Sequence, residues 1–197
     1  DSTPDGDTTA DWWSGWGNDQ DHYLYFQVDL SSLSRGDPVY LSFWNWWLAE
    51  WGDGGNIEYW NYTTGSWRLL TPVGGYPDSN IGQLGGPGYG DSATSSIDYW
   101  YERIMDENNG WIRSWIDLSR LAGSQFRMRF HYATDSSYAY SGWLLDDLTL
   151  VGGGTLTYES DSGWIQNFDL SSVQFYNTVT NTTFVNDDTG IMCYYAP

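Results

Sequence analysis

Carboxylate side chains at strand ends, and one inside a strand, have the chemistry to bind a hard cation. Alternation along a strand places Asp146 on the same face as Leu144, Leu148 and Leu150. A carboxylate on an apolar face requires a cation or several hydrogen-bond donors, and Ca²⁺ is held by about six to eight oxygen atoms. We therefore predict that Asp146 is a calcium ligand; in the alternative, Asp146 and Asp147 cap backbone N–H groups.

Aromatic side chains are the second group with a chemical use. They make up 19% of the chain, with Trp 14 and Tyr 16, which exceeds what one hydrophobic core requires and predicts that some rings lie at a binding surface. Indole rings stack on sugar faces and also fill protein interfaces. The predicted carbohydrate or partner contacts are Trp46, Trp47, Trp51 and Trp60. Alternation directs several tryptophans into the core, and this alternative stays open.

No recognised catalytic pattern is present in the sequence. Jelly-roll glycosidases carry paired glutamates on one strand, and the chain has no Glu-x-Asp-x-Glu run. Its two histidines, His22 and His131, lack the spacing of a zinc-binding His-Glu-x-x-His helix. Glu102, Asp106 and Glu107 are close in sequence, but a solvated loop accounts for them. We predict that the protein is not an enzyme.

The strongly negative net charge limits the kinds of molecule that the protein can bind. The chain carries Asp+Glu 26 against Lys+Arg 7, a formal charge of -19, and all of the residues in the second group are arginine. So few cations argue against nucleic acid, since the phosphate backbone would not be neutralised. An acidic surface fits a setting of high salt, acid or divalent cations, and it also fits a simple requirement for solubility.

Several features bear on the compartment. Cys193 is the one cysteine, so no intramolecular disulfide can form. No apolar run approaches the ~20 residues that span a bilayer, and no charged-then-apolar leader follows Asp1. These features predict a chain without a membrane span. Asn61 and Asn181 lie in glycosylation sequons, each a weak match in a chain rich in Asn, Ser and Thr.

The elements that must position these side chains are strands. Segments of period-two alternation recur along the chain, separated by turn residues, and no helical period is found. The clearest segments are 22–30, 38–48, 111–118, 126–132 and 143–151. This pattern predicts an all-β fold, an antiparallel sandwich.

The predicted sandwich spans residues 1–154 and contains a long loop insertion at 71–110, in which Ile97–Met105 is the one candidate element. Residues 155–197 are predicted to be a C-terminal β extension without a core of its own. This extension would pack on the same sandwich or on a neighbouring one. Its segment 171–185 could add as a strand to a neighbour's sheet edge.

An ordered set of short motifs resembles a known family. The motifs are Trp12-Trp-Ser-Gly-Trp-Gly-Asn18, Tyr40-Leu-Ser-Phe-Trp44 followed by Glu50, Asp117-Leu-Ser-Arg-Leu-Ala-Gly123, Phe126-Arg-Met-Arg-Phe130 and Gly142-Trp-Leu-Leu-Asp-Asp147. In this order they resemble the MAM-like jelly-roll domain in the C-terminal part of secreted immune-inhibitor-A-type M6 metallopeptidases and related prokaryotic surface proteins. The resemblance covers roughly residues 11–151.

This resemblance implies an extracellular jelly roll, commonly stabilised by calcium, and it does not imply catalysis. It also implies that Glu50 joins Asp146 as a calcium ligand, with Asp19 or Asp21 and Asp53 as weaker candidates. The chain departs from the family because it lacks the zinc-binding helix of the catalytic domain and because segment 71–110 is longer than the family leads one to expect.

Taken together, these features predict a non-catalytic extracellular structural or adhesive module, stabilised by calcium and able to self-assemble into a filament or surface layer. Its partners would be copies of itself, cell-surface components or glycans. The alternative is a carbohydrate- or substrate-binding accessory domain of a secreted hydrolase. A large exposed tryptophan cleft would favour that alternative, whereas tryptophans covered by a neighbouring copy would favour assembly.

Overall fold

The computed structural model describes residues 9–15, 17–49, 52–90, 111–137 and 140–170. Across these residues the chain forms twelve β-strands and one short 3-10 turn, Ser119–Leu121. The strands are β1 Thr9–Trp13, β2 Asp21–Asp29, β3 Tyr40–Leu48, β4 Gly54–Asn61, β5 Ser66–Leu69, β6 Asp78–Ile81, β7 Gly86–Gly90, β8 Ile112–Asp117, β9 Gln125–Ala133, β10 Gly142–Val151, β11 Thr155–Ser162 and β12 Ile165–Asp169. Within this part of the chain no helix is long and apolar enough to cross a bilayer.

The strands form two antiparallel sheets that pack face to face, which confirms the predicted all-β sandwich. Sheet A has the strand order β12-β1-β10-β3-β8. Sheet B has the order β11-β2-β9-β4-β7-β6, with β5 paired to β4. The first four strands alternate between the two sheets, so each connection crosses from one layer to the other, as in jelly-roll topologies.

The main core lies between the sheets and is built by alternating side chains. In β2, Leu24, Phe26 and Val28 are buried, and the residues between them are partly exposed. Strand β9 repeats this alternation, and its nine residues pair in unbroken register with those of β2. From sheet A, the fully buried Trp143 packs against Phe130, with ring centroids 5.6 Å apart.

A second hydrophobic cluster explains why β3 is aromatic on both of its faces. Leu41 and Phe43 belong to the main core, and Trp46 belongs to the second cluster, on the other face of sheet A. Trp46 pairs with Leu144 of β10 in the sheet register. The full second cluster is Ala10, Trp13, Trp46, Trp111, Leu144, Phe168 and Leu170.

Residues 71–90 differ from the predicted loop, because they contain a β-hairpin. Strand β6 pairs with β7, and β7 pairs with β4 at the end of sheet B. At Gly88 and Gly90 of β7, the close approach of the β4 backbone requires glycine. A Cβ atom at Gly88 would lie 2.6 Å from the carbonyl oxygen of Gly55, which no side chain tolerates. Segment Ile97–Met105 lies outside the described residues.

Residues 155–169 join the same sandwich as the strands before them. Strand β11 pairs with β2 at the edge of sheet B, and β12 pairs with β1 at the edge of sheet A. The glycine turn 152–154 therefore connects two strands of one unit. The predicted strand segment 171–185, together with the rest of 171–197, lies outside the described residues.

Candidate functional site

Asp146 is buried, but it does not share a face with all three leucines as alternation predicted. Between the pairs Asp146–Trp44 and Thr149–Ser42, three steps along β10 oppose two along β3. This β-bulge contains Asp147 at a φ of 53° and reverses the alternation that follows. Leu148 and Leu150 therefore pack against the main core, whereas Leu144 lies in the second cluster.

The contacts of Asp146 are on the outer face of sheet A, beside β1. The side chain is 4% exposed, and its Oδ1 accepts a hydrogen bond from the backbone N–H of Asp11 at 3.4 Å. In return, the N–H of Asp147 donates to Oδ2 of Asp11 at 3.1 Å. These two contacts join β1 to β10 at the bulge. The Asp146 carboxylate thus caps a backbone N–H group, as the alternative describes, whereas at Asp147 the backbone N–H is itself capped by Asp11.

Two other predicted calcium ligands, Asp19 and Asp53, lie beside Asp135 at one end of sheet B. Asp53 is 1% exposed, and its Oδ1 accepts from the N–H of Asp135 at 2.8 Å. The N–H of Asp19 donates to the carbonyl oxygen of Asp135 at 2.6 Å. Hydrogen bonds from Ser137 lower the pKa of Asp135, so this end of the sheet carries negative charge at neutral pH.

Asp21 lies elsewhere, on the outer face of sheet B. Its Oδ1 is 2.7 Å from Nε2 of His131, and its Oδ2 accepts from the Tyr23 hydroxyl at 2.9 Å. Burial acts to raise the pKa of Asp21, but the hydrogen bonds from His131 and Tyr23 outweigh it and lower the pKa overall. This carboxylate is therefore bound to partners within the protein.

The described residues do not bring the predicted ligands into one metal centre. In residues 9–15, 17–49, 52–90, 111–137 and 140–170, no three His, Cys, Asp or Glu side chains are placed to hold a metal ion together. Glu50 lies outside these ranges. Calcium binding therefore stays a prediction.

The richest arrangement of chemical groups is the outer face of sheet B, which we call the aromatic–arginine face. It consists of Tyr23 and Tyr25 of β2, Glu58 and Trp60 of β4, Trp67 of β5, and Arg127, Arg129 and His131 of β9. Alternation places these side chains opposite the buried ones, since Leu24, Phe26, Met128 and Phe130 face the core. Each is partly exposed.

On this face, aromatic rings and arginine side chains pack against one another along β2 and β9. The His131 ring lies 4.4 Å from that of Tyr23, between centroids, with an interplanar angle of 21°. Arg129 Cζ is 4.5 Å from the Tyr23 ring and 4.2 Å from the Trp67 ring. Arg127 Cζ is 4.1 Å from the Tyr25 ring. Such cation–π contacts are worth about 0.5–1 kcal/mol at exposed sites and more where water is excluded.

Carboxylates hold the cations of the face in place. Nη2 of Arg129 lies 2.6 Å from Oε2 of Glu58, and Nε of Arg127 lies 2.5 Å from Oε2 of Glu159 on β11. The first pair is the better protected, with side-chain exposures of 14% and 17% against 35% and 42%. Each of the two arginine side chains is thus held in place both by an aromatic ring and by a carboxylate.

Two groups on the face have shifted pKa values. Burial lowers the pKa of His131, against the opposing effect of the hydrogen bond to Asp21. Burial and the hydrogen bond to Asp21 raise the pKa of Tyr23 to about 12. At neutral pH the imidazole and the phenol are therefore both uncharged, and the formal charges on the face are those of the arginines and carboxylates.

The predicted tryptophan contacts divide into three groups. Trp46 and Trp47 are 5% and 8% exposed and belong to the second cluster and the main core. The structure therefore does not bring these two rings to the surface, as the core alternative describes. Trp60 is half-buried on the aromatic–arginine face, where its centroid is 5.4 Å from that of Trp67. Trp51 lies outside the described residues.

Sequence reasoning did not single out Tyr23, Tyr25, Trp67 or the β9 cations as site residues. Alternation placed Tyr23 and Tyr25 outward, yet nothing in either strand alone states which groups meet across the sheet. The register pairs Tyr25 with Arg129 and Tyr23 with His131. A search for outward aromatics in one strand and outward arginines in another would have identified the face as a candidate.

Of the two sequons, one lies in described structure. Asn61 ends β4, and its Oδ1 accepts hydrogen bonds from the N–H groups of Thr63 at 2.9 Å and Thr64 at 3.2 Å. This Asx-type turn begins the β4–β5 connection. Asn181 lies outside the described residues, and glycosylation at both sites stays a prediction.

Comparison with known proteins gives one partial similarity. Immune inhibitor A from Bacillus thuringiensis subsp. alesti is 36% identical to this chain over 55 residues. The matched region is 28% of this chain and 8% of the length of that relative. No protein-family model matches the chain.

Proposed function

We propose that this chain is a non-catalytic, extracellular accessory module, a MAM-like jelly roll that binds a target through the aromatic–arginine face. The observation that carries the proposal is this set of contacts on the outer face of sheet B: His131 and Arg129 lie against Tyr23, Arg127 lies against Tyr25, and the Tyr23 and Tyr25 rings are 5.8 Å apart. The partial similarity to Immune inhibitor A supports the accessory role.

The composition of this face supports binding over simple solvation. An antiparallel sheet with one face toward water ordinarily carries polar residues there. Here large rings occupy that face together with arginine, and Tyr, Trp and Arg are the residue types enriched at binding hot spots.

The rigidity of the face supports the same role. Arg129 contacts the rings of Tyr23 and Trp67 and the carboxylate of Glu58 at once. Its long side chain has therefore lost its rotamer freedom before any ligand arrives. Ordering such a side chain on binding costs about 0.5–1.5 kcal/mol, and prior ordering removes that cost from the binding free energy.

The proposal is tested by adsorption and turnover assays on one preparation. The purified chain is incubated with casein, gelatin, isolated bacterial cell walls and insoluble neutral polysaccharides, and both depletion from solution and release of peptides or reducing sugar are measured. We expect depletion by at least one target without release of products. Product release would overturn the non-catalytic part, and absence of depletion by every target would overturn the binding part.

A second candidate function is a self-assembling surface subunit stabilised by calcium. It is favoured by the edge of the sandwich formed by β11 and β12, where Tyr158 and Ile165 are 40% and 45% exposed. The backbone N–H and C=O groups along an edge strand are a template for strand addition between molecules, and exposed apolar side chains beside them add contact area. A net charge of -19 would oppose contact between copies unless cations screen it.

Sedimentation velocity and negative-stain microscopy test this candidate, in calcium and in excess chelator. Ordered polymers that disperse in chelator are the expected result, and Ile165→Asp should prevent them, because a carboxylate on the β12 edge repels a second copy. A monomer under both conditions would rule this candidate out and leave the accessory module standing.

A further inference from the structure

We infer that the aromatic–arginine face binds a neutral, hydroxyl-rich polysaccharide chain. This inference rests on the proposed function and names the ligand class. The inference follows from three features of the face: its charge balance, the spacing of its rings, and the hydrogen-bond donors and acceptors that its ion pairs hold in a fixed orientation.

Charge balance excludes polyanions and favours a neutral ligand. Arg127 and Arg129 are each within ion-pair distance of a carboxylate, Glu159 and Glu58. A phosphate or sulfate group would have to displace these internal partners. It would also have to approach a chain of net charge -19, whose field repels anions at long range.

The same pairs disfavour a cationic ligand. The carboxylates of Glu58 and Glu159 face guanidinium groups, and Asp21 faces His131. A lysine-rich peptide would have to compete with Arg127 and Arg129 for the oxygens of Glu159 and Glu58, which already bond to these guanidinium groups. A ligand without formal charge neither has to displace the carboxylates from the arginines nor has to compete with the arginines for the carboxylates.

The rings form a row that suits an extended polymer. Centroid distances are 5.8 Å from Tyr23 to Tyr25, 6.0 Å from Tyr25 to Trp67 and 5.4 Å from Trp67 to Trp60. Trp60 and Trp67 meet at an interplanar angle of 68°. In that edge-to-face geometry the two indoles do not cover each other's faces completely, so an apolar sugar face can pack on one of them.

Hydrogen-bonding groups beside the rings suit hydroxyls. A guanidinium carries five N–H donors, and Oε2 of Glu58 accepts from Nε and Nη2 of Arg129. A sugar hydroxyl both donates and accepts, so it can bond to guanidinium N–H groups and to carboxylate lone pairs without disturbing the ion pair. Planar side chains next to aromatic rings therefore offer a neutral glycan both kinds of contact.

Affinity gel electrophoresis tests the inference. The full chain is run through gels containing a soluble β-glucan, xylan, mannan or dextran, with heparin as the polyanion comparison. We expect at least one neutral polysaccharide to retard the protein, with retardation kept in 1 M NaCl, and heparin to have no effect. Trp60→Ala should weaken binding at least tenfold, and Trp60→Phe should restore part of it.

Trp115→Ala is the matched control, because Trp115 lies on sheet A under Arg113 at 4.8 Å and is also partly exposed. It should bind like the wild type. Circular dichroism shows whether each variant folds; should Trp60→Ala fail to fold, Tyr25→Phe and Tyr25→Ala replace it.

The two levels of the proposal fail in different ways. Failure of every neutral polysaccharide to retard the chain, or equal loss of binding in Trp115→Ala, would overturn the inference. If adsorption to gelatin or cell walls still depended on Trp60, the accessory module would stand with another ligand. If no adsorption depended on Trp60, the face would not be the binding site at all.

Discussion

The outer faces of the two sheets use similar aromatic residues in opposite ways. On sheet A, Trp46 packs with Leu144 in an apolar cluster and is 5% exposed. On sheet B, Tyr23 and Tyr25 are partly exposed and are stacked against arginine and histidine. The neighbour of each ring decides whether the ring stays partly exposed. A guanidinium group covers a ring and remains hydrated itself, whereas a leucine side chain removes the ring from water.

This comparison separates a structural face from a face available for binding. Rings buried among aliphatic groups contribute to stability through the area they remove from water. Rings stacked on arginine contribute less to stability, but they remain at the surface and are already ordered. Four measurements test this contrast, in order of falling expected effect.

The largest expected difference is between Trp46→Ala and Trp67→Ala. The first removes a buried ring from the second cluster and should lower the free energy of unfolding by about 3–5 kcal/mol. The second removes a half-buried ring beside Arg129 and should cost about 1 kcal/mol. Urea unfolding followed by circular dichroism measures both, and equal losses would contradict the division of roles between the two faces.

The second prediction concerns stabilisation by calcium, which should depend on Asp146 and not on Asp21. If Asp146 contributes to a calcium site, the wild type should gain about 2.7 kcal/mol at a calcium concentration a hundredfold above Kd, measured as a raised unfolding midpoint. Asp146→Asn should remove the gain. Asp21→Asn should keep it, because Asp21 is bound to His131 and Tyr23. No response in the wild type would reject the calcium prediction.

The sequence could predict the strands and the inner faces, since alternation in β2 and β9 directly identifies Leu24, Phe26 and their partners. It could not predict that Asp146 lies on a different face from Leu148 and Leu150, because the bulge at Asp147 is set by pairing with β3 and reverses the alternation. It also could not identify the β6–β7 hairpin, since glycine there serves close backbone approach to β4. In each case the missing information was which strand lies alongside.

The aromatic–arginine face shows the same limit. Its rings and cations were visible as outward residues of two separate strands. The stack depends on the cross-strand register that pairs Tyr25 with Arg129, and that register is a property of the folded sheet. Composition instead favoured the tryptophan-rich end of β3 as a contact surface, and its rings Trp46 and Trp47 are buried.

The two ion pairs of the face should differ in strength. Glu58→Gln removes the partner of Arg129 in a pair exposed by 14% and 17% and should lower the free energy of unfolding by about 1–2 kcal/mol. Glu159→Gln removes the partner of the more exposed Arg127 and should cost about 0–1 kcal/mol. Thermal unfolding of both variants at low and at 1 M salt gives the comparison; a larger effect of Glu159→Gln would show that exposure does not rank the pairs.

The smallest expected effect is a pH dependence that His131 adds to stability. Burial lowers its pKa in the folded protein below the ordinary value of about 6.5. The unfolded chain therefore binds a proton at a higher pH than the folded one, and the stability from neutral His131 is complete above about pH 6.5 and falls as the pH drops below it. Asp21, whose pKa is also lowered, adds a separate loss below its ordinary value of about 3.9.

His131→Asn isolates the first of these windows. The groups packed around His131 are Asp21, Tyr23, Glu58 and Arg129, and none of them has an ordinary pKa between 5 and 6.5. The stability difference between wild type and variant should be constant from pH 7 to 8 and should shrink from pH 6.5 to 5. A difference that stayed constant down to pH 5 would mean that the fold does not oppose protonation of His131, so that below about pH 6.5 the face would carry an additional positive charge available to an acidic ligand.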